Sequence, residues 1–152
     1  MRTRRQFVSA LCATTLLTPL GARAAATDSI PDAAQLQPAQ LAEMLKHDDK
    51  LVILQVGFKT LYDQAHIVGA QYAGPGNKDD GLANLGSHVG KLAHDAPVVI
   101  YCGCCPWVRC PNMGAAWDQL HAQGFSNVKA LYIVGNFGDD WVNKGYPVTR
   151  GE

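Results

Sequence analysis

The chain has 152 residues, 47% of them hydrophobic, with 13 basic side chains balancing 13 acidic ones and five cysteines. That is enough apolar material for one packed domain and too little length for two. The basic residues form no cluster of the kind that nucleic-acid backbones require, so no nucleic-acid partner is expected.

The first segment reads as an export signal. Arg4 and Arg5 stand in TRRQFV, the uncharged stretch VSALCATTLLTPLG follows, and the small residues ARAAA close it. Basic, apolar and small segments in that order are the layout of a cleaved secretory signal, and the arginine pair resembles a twin-arginine signal. The apolar stretch is too short for a membrane helix. Residues 1–26 are therefore expected to be removed near Ala24 or Ala26, leaving a periplasmic or otherwise exported protein without a membrane span. Cleavage takes away Arg2, Arg4, Arg5, Arg23 and Cys12, which leaves nine basic residues against 13 acidic ones, a net charge of −4, and four cysteines. Residues 27–37 are small, polar and punctuated by proline, and read as a flexible lead-in to a domain spanning 38–152.

After Pro38, the apolar positions Leu41, Met44 and Leu45 recur at helical spacing and predict a short amphipathic helix. LVILQV (51–56) is a continuous apolar run of strand length, as in a parallel sheet buried on both faces. AHIVGAQYA (65–73) predicts another short strand, and the Gly- and Asp-rich GPGNKDDG a loop. Leu82, Leu85, Val89 and Leu92 predict a helix reaching His94. PVVIYC (97–102) is the second strongly apolar strand. From Pro111 the pattern is helical, with Met113, Ala116, Trp117 and Leu120 on one face and Gly124 as the stop. VKALYIV (128–134) predicts a strand, and GDDWVNKG a terminal helix. Strands alternating with helices at this spacing imply an α/β layered fold on a mostly parallel sheet.

All four cysteines of the mature chain fall in CGCCPWVRC (102–110), between an apolar strand and a proline-started helix. In an open α/β sheet this is where ligands bind, and the helix start favours negative charge there. Four cysteines so close together cannot staple distant segments, so they point to chemistry rather than architecture. Three chemistries are open. One is a single reactive thiol with a lowered pKa, for which Arg109 is the natural cation, since only Arg109 and Arg150 remain in the mature chain. Another is a redox pair, with Cys102 and Cys105 as CxxC, or Cys105 and Cys110. An adjacent Cys104–Cys105 disulfide is disfavoured by the strain in the peptide between them. The third is a thiolate site for a soft ion such as Zn²⁺ or Cu(I). Four ligands in nine residues leave little freedom to converge, so no metal and no cofactor is assigned. Trp107 sits inside the loop, either walling a pocket or facing a partner. His66 reads as a satisfied structural histidine, and Trp117 and Trp141 as packing residues.

Motifs along the mature chain resemble the rhodanese-like domain family. LQVGFKTLYDQAHIVGA carries Tyr62, His66, Ile67, Gly69 and Ala70 in the family's register. VVIYC ends on Cys102 at the position of the catalytic cysteine, while GFSNVKAL and WVNKGYPV, the latter with Trp141, complete the set. The resemblance implies a three-layer α/β/α sandwich with a central, mostly parallel sheet. It also implies a sulfurtransferase or persulfide carrier, in which Cys102 takes sulfur from a small donor such as thiosulfate or polysulfide and passes it to a thiol or other nucleophilic acceptor. Backbone N–H groups from 103 to 110, around Gly103, Cys104, Trp107 and Cys110, are expected to cradle the anion, with Arg109 assisting and Cys105 as a redox neighbour for a partner protein. Two features depart from the family: Gln55 and Gly57 stand where aspartate and arginine are usual, and the cysteine loop is longer.

Overall fold

The structure, a computed structural model, describes residues 27–151, so the expected export signal at 1–26 lies outside the described residues. The apolar runs become the middle of a parallel sheet. Strands β2 (Val52–Gln55), β5 (Val98–Tyr101) and β6 (Val128–Leu131) are flanked by the two-residue edges β1 (Gln35–Leu36) and β4 (Gln71–Tyr72), in the order β1-β6-β5-β2-β4 with every pair parallel. A separate antiparallel pair joins β3 (His66–Ile67) to β7 (Val148–Thr149).

Because side chains alternate along a strand, the sheet divides its apolar residues between two cores. Leu54, Val98, Ile100, Val128 and Ala130 face α3 (Asp79–Val89) and α4 (Pro111–Ala122), meeting Leu85, Val89, Met113, Ala116 and Leu120. Ile53, Val99, Tyr101 and Leu131 face the other side, where Leu41 of α1 (Pro38–Met44) and the fully buried Trp141 pack against them. All four residues of β5 are buried, which fits its central place between β2 and β6. The result is a three-layer α/β/α sandwich. No helix among the described residues is long and apolar enough to cross a membrane.

The main departures from expectation are local. The run 65–73 is two separate strands, because the positive φ of Gly69 (77°) turns the chain between them. Lys59–Gln64 forms a further helix, α2, that the sequence pattern does not reveal. None of its six residues is fully buried, so it carries no apolar stripe to read. α3 stops at Val89 rather than His94, β6 at Leu131 rather than Val134, and Gly138–Val142 is a single π-helical turn.

The segment 27–37 is not a loose lead-in. Two 3-10 turns, Thr27–Ser29 and Asp32–Ala34, lead into β1, whose Gln35 and Leu36 pair with Ala130 and Leu131 of β6. Ile30 is 3% exposed in the α3–α4 core, and Thr27 Oγ1 donates to the Trp107 carbonyl at 3.1 Å. Its few apolar residues are too scattered to show a period, so tertiary contacts decide its conformation. Ile30→Ala should lower unfolding stability by about 2–5 kcal/mol in a denaturant titration. A change near zero would mean that the segment is detached from the core.

Candidate active site at the cysteine loop

Residue parity along β5 aims the first cysteine. Val98 and Ile100 point to the α3–α4 core, and Cys102, the next even-numbered residue, joins the same core at 4% exposed. Gly103 follows with φ 70°, and an added Cβ there would lie 2.7 Å from Phe137 Cβ, so glycine turns the chain where no side chain fits. The loop then folds back through a 3-10 turn at Trp107–Arg109 and enters α4 with Cys110 at the N-cap and Pro111 in the first turn.

This path gathers all four thiols. Their Sγ atoms lie within 4.8 Å of one another, and none forms a disulfide. Cys102 and Cys104 are 2.9 Å apart and Cys104 and Cys105 3.1 Å. The contact nearest to Cys102 is thus Cys104, rather than the Cys105 of the CxxC spacing. Cys102 and Cys110 are buried, while Cys104 and Cys105 are half-buried at the mouth.

Two amides that sequence reading did not select hold this cluster. Asn112, fully buried in the first turn of α4, donates from Nδ2 to Cys102 Sγ at 3.2 Å and to Cys104 Sγ at 3.6 Å. Its Oδ1 accepts from the Asn77 N–H at 3.1 Å, which fixes which end of the amide faces the sulfurs. Gln55, 2% exposed at the end of β2, donates from Nε2 to the Cys102 carbonyl and accepts at Oε1 from the Gly57 N–H. The charged support that the resemblance leads one to expect at these positions is replaced by a neutral brace. Gly57 is constrained too: a Cβ there would lie 2.7 Å from the Cys102 carbonyl oxygen and 3.1 Å from its sulfur. No larger residue, and certainly no arginine, fits beside this arrangement. The only sequence signal for Asn112 was its place directly after the loop proline.

The electrostatics assign the thiols unequal roles. Cys102 is pushed well up, first by its interaction with Cys104, then by Cys105 and Cys110, and by burial. Its bond with Cys102 pulls Cys104 down, but Cys110 and burial outweigh it and leave Cys104 at about 12. Cys105 is lowered, mainly by Cys102. Cys110 falls to about 3, through Cys102 and Cys104 and, against the cost of burial, through the Asn112 and Met113 N–H groups. Those two N–H groups act on the Cys110 sulfur without a capping hydrogen bond of regular geometry. The start of α4 therefore favours negative charge on Cys110, not on Cys102 as the loop's position suggested.

Other expectations need correction. Three N–H groups of the anticipated anion cradle are occupied: Trp107 donates to the Ile133 and Val134 carbonyls, Arg109 to Pro106, and Cys110 to Trp107. Pro106 has none to give. The 3-10 turn closes on itself instead of opening toward a ligand. Trp107 does not face outward as a partner surface: it is a core residue, 8% exposed with its ring 5.0 Å from that of Tyr132, and it walls the small void beside Cys102. Arg109 is exposed, and the thiols are governed by one another, by burial and by α4 rather than by its guanidinium. The arginine that borders the site is Arg150. With Gln64, Asn136 and Phe137 it lines a groove of about 430 Å³ that reaches Gly103 and Cys104. On the buried side a void of about 10 Å³ touches Cys102, Cys105, Cys110 and Met113, room for one small atom. His66 is structural as expected: it stacks on Tyr62 at 3.9 Å and its Nδ1 donates to the Tyr62 carbonyl.

The sequence model for the rhodanese-like domain matches residues 37–133. The chain belongs to the rhodanese-like domain family. Solved structures agree on the fold. The rhodanese-like domain of an Anabaena protein superposes with a TM-score of 0.57 at 19% identity, covering 77% of this chain and 79% of that one. A Bacillus halodurans protein gives 0.59 at 21% identity, covering 76% of each. A thiosulfate sulfurtransferase from Pseudomonas aeruginosa gives 0.58 at 22% identity over 78% of this chain, which spans only 20% of that enzyme. No curated protein matches the sequence. Within the rhodanese-like frame, Cys102 stands at the end of the central strand and Arg150 lies beyond the matched region.

Gln55→Leu should lower stability by about 2 kcal/mol or more, since it strands the buried Cys102 carbonyl and Gly57 N–H together. Thermal unfolding checks this. An unchanged midpoint would show that the brace holds nothing.

Proposed function

We propose that this rhodanese-like protein handles sulfane sulfur outside the cytoplasm, with Cys102 as the sulfur-carrying nucleophile. The observation that carries the reading is the placement of the Cys102 thiol: it leaves the end of the central strand, is oriented by Gln55 and Asn112, and abuts an apolar void the size of one atom. The family includes sulfurtransferases, and the resemblance of VVIYC to their catalytic strand supports the same assignment. The Arg4–Arg5 signal pattern supports export.

In the proposed reaction Cys102, a thiol at rest, gives its proton to the neighbouring Cys110 thiolate, and the Cys102 thiolate so formed attacks the outer sulfur of thiosulfate. A sulfur–sulfur bond forms at Cys102, the bond inside thiosulfate breaks, and sulfite leaves with its electron pair. A thiol acceptor then takes the outer sulfur and returns Cys102 to the thiolate. Arg150, at the edge of the groove, is suited to meet the anionic donor, a role the sequence reading gave to Arg109.

A second reading is favoured by the 2.9 Å Cys102–Cys104 contact. A Cys102 persulfide anion is within reach of the Cys104 thiol, and their reaction gives a Cys102–Cys104 disulfide and hydrosulfide. No external oxidant is consumed, because the sulfane sulfur is itself reduced. A dithiol partner protein then restores the two thiols.

Intact mass after treatment with thiosulfate or polysulfide tests both. Cys102→Ser should gain no sulfur, and a gain equal to that of the parent chain would sink the assignment. Cys105→Ser should still load. Cys104→Ser should hold the Cys102 persulfide about tenfold longer or more and release correspondingly less sulfide, since it removes the neighbouring intramolecular nucleophile. Equal lifetimes would eliminate the internal disulfide.

A further inference from the structure

We infer that Cys102, Cys104, Cys105 and Cys110 together form a four-thiolate site for a soft closed-shell cation, zinc(II) in its tetrahedral form. Spacing alone argued against such a site, because four ligands in nine residues have little freedom to converge. The folded loop removes that objection. The positive φ of Gly103 and the turn at Trp107–Arg109 bring the chain back on itself, so all four sulfurs lie within 4.8 Å. A tetrahedron of sulfurs at about 2.3 Å from zinc has edges of about 3.8 Å. The observed separations bracket that value, with Cys102–Cys104 at 2.9 Å and Cys104–Cys105 at 3.1 Å as the contacts that must open.

The surroundings are those of a metal site rather than of four incidental thiols. Asn112 Nδ2 donates to two of the sulfurs and is locked in that orientation by the Asn77 N–H. Cys110 caps the 12-residue helix α4, whose positive end offsets the excess negative charge of four thiolates around a divalent ion. Hydrogen bonds to ligand atoms from a fixed second layer are what orient ligands and tune affinity in known metal centres. Entry is through the half-buried Cys104, which the groove beside Arg150 reaches. Gly57 adds no side chain of its own against the Cys102 sulfur, from which a Cβ there would lie only 3.1 Å. Binding balances simply: zinc(II) with four thiolates carries net charge −2, and each thiol still protonated beforehand gives its proton to solvent.

This does not rest on sulfur transfer, and the two uses exclude each other in one molecule, because a metal-bound Cys102 is not a free nucleophile. Reduced full-length chain, kept free of oxygen and of any sulfur donor, is titrated with zinc(II) against a chromophoric chelator and then examined by X-ray absorption. One zinc per chain with four sulfurs at about 2.3 Å is expected. Cobalt(II) in place of zinc should give intense sulfur-to-metal charge-transfer bands. Cys105→Ser, at a half-buried position the fold tolerates, should lose one sulfur from the shell and about tenfold or more in affinity. A chain that retains no zinc, a shell dominated by nitrogen or oxygen, or a Cys105→Ser variant with parental affinity would each overturn the site. Copper(I) binding through Cys102, Cys104 and Cys110 alone, in preference to zinc, would overturn its four-coordinate form. None of these outcomes bears on sulfur loading, so the two ideas fail separately.

Discussion

The side-chain amide of Gln55 ties the end of β2 to the end of β5, accepting from the Gly57 N–H and donating to the Cys102 carbonyl. Both tethered groups are buried, and each has this amide as its partner. Once that carbonyl is held, the direction of the chain at Gly103 is set, and the three later cysteines can only fall where the loop carries them. The brace leaves no space at residue 57, where even a methyl group would strike the Cys102 carbonyl. Gln55 and Gly57 thus act together, the amide bracing the Cys102 carbonyl and the glycine leaving room for it.

Four sulfurs at such distances cannot titrate independently. Any negative charge placed among them is shared, and the protein biases its resting place with a helix start under Cys110 and an amide over Cys102 and Cys104. The resemblance implied one reactive thiol served by a cradle of loop N–H groups. Here several of those N–H groups are spent on closing the loop, and the thiols themselves favour charge on Cys105 and Cys110 while disfavouring it on Cys102. Charge within the cluster is therefore a collective property of the four sulfurs.

The layers were legible in the sequence because buried strands are written as continuous apolar runs: Val52–Gln55, Val98–Tyr101 and Val128–Leu131 all fall within the runs that predicted them. The stripe Met113, Ala116, Trp117 and Leu120 lies buried on α4 as its spacing required. What the pattern could not carry was anything set by a single tertiary contact. The segment with Ile30, the half-buried α2, and the buried amides of Gln55 and Asn112 show no periodicity to read. Arg109 illustrates the limit most clearly. Its place among cysteines suggested partnership, yet chain direction in the 3-10 turn leaves it exposed, while Arg150, far along the chain past β7, borders the groove.

Burial of Trp107 against Tyr132 has a mechanical meaning. The Trp107 indole is seated in the core, its backbone N–H donates to the Ile133 and Val134 carbonyls just past β6, and its carbonyl accepts from Thr27, so the middle of the cysteine loop is pinned at three points. The loop is a staple, not a flap. A loop pinned in this way would need only small shifts of its sulfurs to take a guest, so the dimensions of the approach, rather than closure of a lid, would govern what reaches them.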